Sequence, residues 1–94
     1  MMNKTLIELL SVMFKKHYIG AKHIPESVIF KSKIKHLNKH LQKEFYDDYE
    51  KLLRQNYFIR LKKRTGKSSD YHISLNPEMI EEINELLEEN YENS

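Results

Sequence analysis

The sequence predicts one mainly helical α+β domain: three helices, then a two-stranded β-hairpin, then a C-terminal helix. Three observations predict it. Apolar residues recur at helical spacing as far as Leu53. The period then falls from 3.6 to 2 in two short runs between Phe58 and Leu75. Directly after them, Asn76-Pro77-Glu78 reads as a helix start, with a cap residue, a proline for the first position and an acid next. A length of 94 residues holds one small core and no second domain.

The first helix is expected at about 4–16. Asn3 or Thr5 can cap it, and Leu6, Leu9, Leu10, Met13, Phe14 and His17 follow on one face. Gly20 ends it or turns the chain just after, and Tyr18 to Ile24 reads as a short extended piece before Pro25. The second helix is expected over 25–36, opened by Pro25 and Glu26, with Val28, Ile29 and Phe30 as a small apolar patch. The third, over 39–55, is the clearest. Asn38 caps it, Leu41, Phe45, Tyr49, Leu52 and Leu53 form one stripe, and Asn56 can take the left-handed conformation that closes it. The hairpin is expected at 58–63 and 71–75, with Ile59 and Leu61 on one face of the first strand and Tyr71, Ile73 and Leu75 on one face of the second. Arg64 to Asp70 then forms a long polar tip. The last helix, over 77–90, buries Ile80, Ile83, Leu86, Leu87 and Tyr91.

Charge is distributed by block. Residues 31–67 hold twelve Lys/Arg against four Asp/Glu, a net charge of +8, whereas residues 68–94 hold eight acids and no Lys or Arg. A basic middle of this kind points to a polyanion, most often nucleic acid. A solvated Lys-rich face is the plainer alternative. Cysteine is absent, which excludes disulfides, thiolate metal sites and cysteine nucleophiles. The apolar runs are too short for a membrane span and the first residues do not read as a signal peptide. A soluble, cytoplasmic protein is the expectation, with no membrane partner.

Three helices, a hairpin and a last helix is the order of a winged helix-turn-helix domain, with the hairpin as the wing. The chain resembles the small single-domain winged-helix proteins of archaea, most of them uncharacterised. The similar stretches are Tyr18-Ile19-Gly20-Ala21-Lys22-His23, Lys39-His40-Leu41, Tyr57-Phe58-Ile59 and Ser74-Leu75-Asn76-Pro77-Glu78. The pattern departs at Ile24, where a Thr or Ser cap is expected, and at Asn56, where Gly is expected. The resemblance implies a DNA-binding, transcription-related role and no substrate.

The candidate DNA-binding residues are Lys33 and Lys35 in the second helix or its turn, Lys39, His40 and Lys43 early in the third, and Lys62, Lys63, Arg64 and Lys67 in the wing. Asp47 and Glu50 on the same helix face would sit near phosphates and oppose binding, unless one accepts from cytosine N4. The pairs Lys43–Asp47, Asp47–Lys51 and Glu50–Arg54 have i,i+4 spacing, so a salt-bridged surface helix is a rival reading. Lysines on a hairpin edge also block aggregation. The partner expected is duplex DNA, with a homodimer through the first and last helices. The alternatives are a protein-interaction module and an RNA-binding winged helix. No catalytic residues, cofactor or small-molecule substrate are expected, because nucleotide and hydrolase motifs are missing. Neither His36 with His40 nor His17 with His23 makes a recognisable ligand set, so no metal site is expected.

Overall fold

In the computed structural model the backbone is described for residues 2–65 and 68–92, and the side chains for the same residues except 63–65, 68, 69, 91 and 92. The chain is an α+β domain of four α-helices and a three-stranded antiparallel sheet. In order the elements are α1 (Lys4–Lys15), β1 (Ile24–Pro25), α2 (Glu26–Lys33), α3 (Lys39–Arg54), β2 (Phe58–Thr65), β3 (Ser68–Leu75) and α4 (Ile80–Glu92), with a 3₁₀ turn at Pro77–Met79 leading into α4.

Each helix boundary has a chemical cause. Asn3 accepts from the Leu6 amide and Asn38 from the Leu41 amide, so one donor in each exposed first turn is satisfied by the cap side chain. α1 and α3 both close in a Schellman motif. The Tyr18 amide reaches Met13 O and the His17 amide Phe14 O; the Tyr57 amide reaches Leu52 O and the Asn56 amide Leu53 O. The residues that must turn left-handed are His17 at φ 60° and Asn56 at φ 64°. Asn56 thus does what glycine would do. His17, placed by its spacing on the buried face of the first helix, instead lies past the helix end and is exposed.

α2 is shorter than its expected 25–36. Pro25 belongs to β1, and the helix stops at Lys33 because Ile34 turns inward and is buried. α2 also lacks a side-chain cap, because its N-cap residue is Pro25, whose ring has no hydrogen-bonding group. The expected extended piece becomes a third strand only at its end, where Ile24 pairs with Ile73 and Pro25 with His72. The sheet order is β1-β3-β2. The hairpin ladder runs from Phe58 opposite Leu75 to Thr65 opposite Ser68, well past the expected 58–63 and 71–75. Backbone pairing needs no apolar side chains, so the polar stretch gave no periodic signal. The last helix starts later than expected, because Asn76 accepts from the Glu78 amide and holds the first turn as 3₁₀. Tyr91's side chain lies outside those described.

Strand alternation sorts the sheet into two faces. Phe58, Arg60 and Lys62 share one with Leu75, Ile73 and Tyr71; its inner end joins Leu6, Leu10, Met13, Phe45, Tyr49, Leu52 and Ile83 in the core. Ile59 and Leu61 share the other face with Ser74 and His72; Leu61 is exposed, whereas Ser74 is fully buried. A period of two gives the parity of a strand but not which parity is buried.

Candidate nucleic-acid interface

The turn between α2 and α3 gathers the first group of candidate residues. Gln42 Nε2 donates to Ile34 O at 3.1 Å and to Leu37 O at 2.9 Å, which fixes the turn against α3. Lys33 lies in the last turn of α2 and Lys35 just beyond Ile34. Lys39, His40 and Lys43 follow at the start of α3 and are exposed. Of these, His40 Nε2 lies 3.5 Å from Glu44 Oε1. Lys33, Lys35, Lys39 and Lys43 make no ion pair among the described residues. The three i,i+4 pairs that the spacing allowed do not form; Lys51 instead lies 3.9 Å from Asp48. Cations at a helix N-terminus oppose the macrodipole by about 0.3–1 kcal/mol each. No acid in the first turn of α3 relieves them, so this corner is a concentrated positive field open to solvent.

A second cluster was not legible in the sequence as a unit. Glu26, buried at the start of α2, accepts from the Tyr49 hydroxyl at 2.6 Å and from Arg60 Nη2 at 2.9 Å. Arg60 then lies over the Tyr71 ring, its Cζ 3.8 Å from the centroid, and Lys62 Nζ lies 5.9 Å from the same ring. Burial, and next the hydrogen bond and charge of Glu26, push the Tyr49 phenol well above its ordinary 10.0. Burial works against the Arg60 charge, but the bond to Glu26 and its carboxylate outweigh it and hold the guanidinium above its usual value. Arg60 is therefore committed to the fold. The signal that could have found it is parity, because a basic residue two positions from Phe58 shares the core face of its strand and needs an anion there.

The network also joins the helix to the hairpin. A small cleft of about 130 Å³ is lined by Glu26 and Phe30 of α2, Tyr46, Glu50 and Leu53 of α3, and Arg60 of β2. Tyr46 and Glu50 continue the exposed row begun by Lys39 and Lys43 at i, i+4, i+7 and i+11. The structure thus brings Lys39, Lys43 and Lys62 to elements that border one cleft. Lys63 and Arg64 continue β2, opposite Asp70 and Ser69, with side chains outside those described; Lys67 lies outside the described residues.

Exposed large apolar side chains follow the basic elements. They are Val28, Leu41, Tyr46, Leu61 and Tyr71, none on α1 or α4 among the described residues. Leu41, placed on the buried stripe by its spacing, is 37% exposed. α4 packs chiefly on α1 and turns Glu81, Glu82, Glu85 and Glu88 to solvent. Among the described residues no helix is long and apolar enough to cross a membrane, and no three His, Asp or Glu side chains gather as metal ligands. No family model, no curated protein and no solved structure matches the chain.

Proposed function

We propose that this chain is a winged helix-turn-helix protein that binds duplex DNA and regulates transcription, with the α2–α3 corner and the β2–β3 hairpin as its two contacts. The observation that carries the reading is the set of lysines unpaired among the described residues, Lys33, Lys35, Lys39 and Lys43, around the N-terminus of the helix that would enter the major groove. The element order and the sheet order β1-β3-β2 support the same fold reading. A phosphate accepted there relieves the repulsion among the cations and the opposition of the helix dipole together. Lys62, braced on Tyr71, would meet the backbone from the hairpin.

The test is charge reversal at the two contacts. Lys39→Glu with Lys43→Glu, and separately Lys62→Glu, are expected to weaken binding to random duplex DNA at least tenfold, whereas Lys15→Glu on α1 leaves it within about twofold. Equal losses in all three would refute the placement. A second reading, a protein-interaction module, is favoured by one observation: Asp47 and Glu50 stand exposed and without ion pairs among the described residues beside exposed Leu41 and Tyr46. No DNA binding even at low salt, with a co-purifying protein, would decide for it. Displacement of bound DNA by duplex RNA would redirect the reading to RNA.

A further inference from the structure

From the geometry on the face of the sheet that carries His72 we infer a binding site for a late divalent transition ion, of the copper(II) or nickel(II) class, made by His23 and His72. Sequence spacing pairs His17 with His23 and His36 with His40. The fold joins His23 instead to a histidine 49 positions away, with the two Nδ1 atoms 2.8 Å apart and the rings at 84° to each other. In this contact one Nδ1 carries the shared proton and the other accepts it; shifting the donor ring to its Nε2–H tautomer frees both Nδ1 lone pairs for one metal ion. Replacing the proton costs a single net hydrogen bond of about 1 kcal/mol. Two metal–nitrogen bonds take its place.

The separation suits a cis pair on one ion. At metal–nitrogen distances of about 2.0–2.1 Å, two nitrogens 2.8 Å apart subtend about 85° at the ion. That is the cis angle of a square-planar or octahedral ion, which Cu²⁺ and Ni²⁺ prefer. A tetrahedral ion would need the pair opened to about 3.3 Å.

The surroundings fit. Ile24 opposite Ile73 and Pro25 opposite His72 set the register; carried one residue further, it brings His23 level with Ser74, on the face of His72. Ser74 Oγ is buried and lacks a hydrogen-bond partner among the described residues, the one such buried side-chain atom. A water on the metal supplies the partner it lacks. Asp70 stands two residues along the same face, its Oδ2 accepting from Ser27, and adds negative charge nearby. Lys22, adjacent to His23, is drawn away, with Nζ on Lys16 O at 2.9 Å and 5.0 Å from the Tyr18 ring. With two imidazoles as protein ligands, water completes the shell. The pair bridges the segment entering the two-residue β1 and the central strand, so the ion would pin the shortest strand to the sheet.

The experiment is a Cu²⁺ titration of the full chain, read by electron paramagnetic resonance and by competition with free glycine. The expected result is one tetragonal centre per chain with nitrogen coupling from two imidazoles. His23→Gln and His72→Gln should each weaken it at least about tenfold, since even supporting-group losses cost 10–100-fold. The double variant His36→Gln with His40→Gln should leave it unchanged. Circular dichroism confirms that each variant is folded; Ser74→Ala gives a milder loss at an intact histidine pair. Unchanged Cu²⁺ affinity in either His23→Gln or His72→Gln would overturn the site, as would Zn²⁺ binding as tight as Cu²⁺. These outcomes are independent of any DNA affinity.

Discussion

Removing the Glu26 carboxylate should destabilise the domain far more than removing any exposed acid. Glu26→Ala strips the partner from two donors at once. The Tyr49 hydroxyl is buried, so it loses a 2.6 Å bond and cannot be rehydrated, a cost of about 1–3 kcal/mol. Arg60 is 42% exposed on its side chain, so water recovers much of its solvation; what remains is about 1 kcal/mol of charge-assisted bonding and lost hairpin docking. The sum is about 2–4 kcal/mol. At about 4–8 °C per kcal/mol for a domain of this size, the melting temperature should fall by at least about 8 °C. Tyr49→Phe removes one bond but leaves no orphan donor and should cost about 1 kcal/mol. The double variant should cost less than the two single losses combined, because the buried hydroxyl is the shared liability. Equilibrium urea unfolding followed by far-ultraviolet circular dichroism reads all three, with Glu50→Ala as the control, expected within about 0.5 kcal/mol of the parent. A Glu26→Ala loss no larger than that of Glu50→Ala would refute the reasoning, because the network would then not hold the hairpin to the helices.

Other predictions follow from single positions. The raised Tyr49 phenol favours the native state only while the unfolded chain keeps its own proton; above the ordinary value of 10.0 the unfolded state binds fewer protons, so stability should fall as pH rises through 10 and beyond. Urea midpoints at pH 9 and 11 should therefore diverge more in the parent than in Tyr49→Phe. Ser74→Ala removes a buried hydroxyl without a partner and should stabilise the metal-free protein, by up to about 1 kcal/mol in urea unfolding. His17→Gly relieves a side chain held at φ 60° and should raise the melting temperature by a few degrees, since the left-handed cost of about 1–2 kcal/mol exceeds the added backbone entropy of about 0.4–1 kcal/mol. Asn38→Ala should cost about 1 kcal/mol through loss of the α3 cap, read by the same unfolding midpoint.

What the sequence disclosed and what it hid divide along physical lines. α3 was legible almost to the residue because cap, stripe and left-handed closure are local and agree with one another. The hairpin was legible from its period, but its length was not, since the stretch beyond Lys63 is polar and carries no alternating apolar signal. α2 was overextended because its end depends on Ile34 finding the core and on Gln42 reaching back from α3. Among the candidate binding residues, the exposure of Lys39, His40 and Lys43 followed directly from the position of the stripe. The freedom of Lys43 did not, because i,i+4 spacing permits an ion pair without enforcing it. The Glu26–Tyr49–Arg60 network and the His23–His72 pair connect positions far apart in the chain, on elements whose meeting is settled only by the fold.

The central claim is that the positive corner and hairpin meet nucleic-acid phosphates. Fluorescence anisotropy with random duplex DNA at about 50 and 200 mM salt tests it most directly, because each phosphate contact releases counterions and steepens the salt dependence. The account predicts binding at the lower salt and a log–log slope of several units, reduced by Lys39→Ala with Lys43→Ala. An absence of binding at 50 mM, or binding indifferent to salt, would contradict it and leave the basic block a solvated surface.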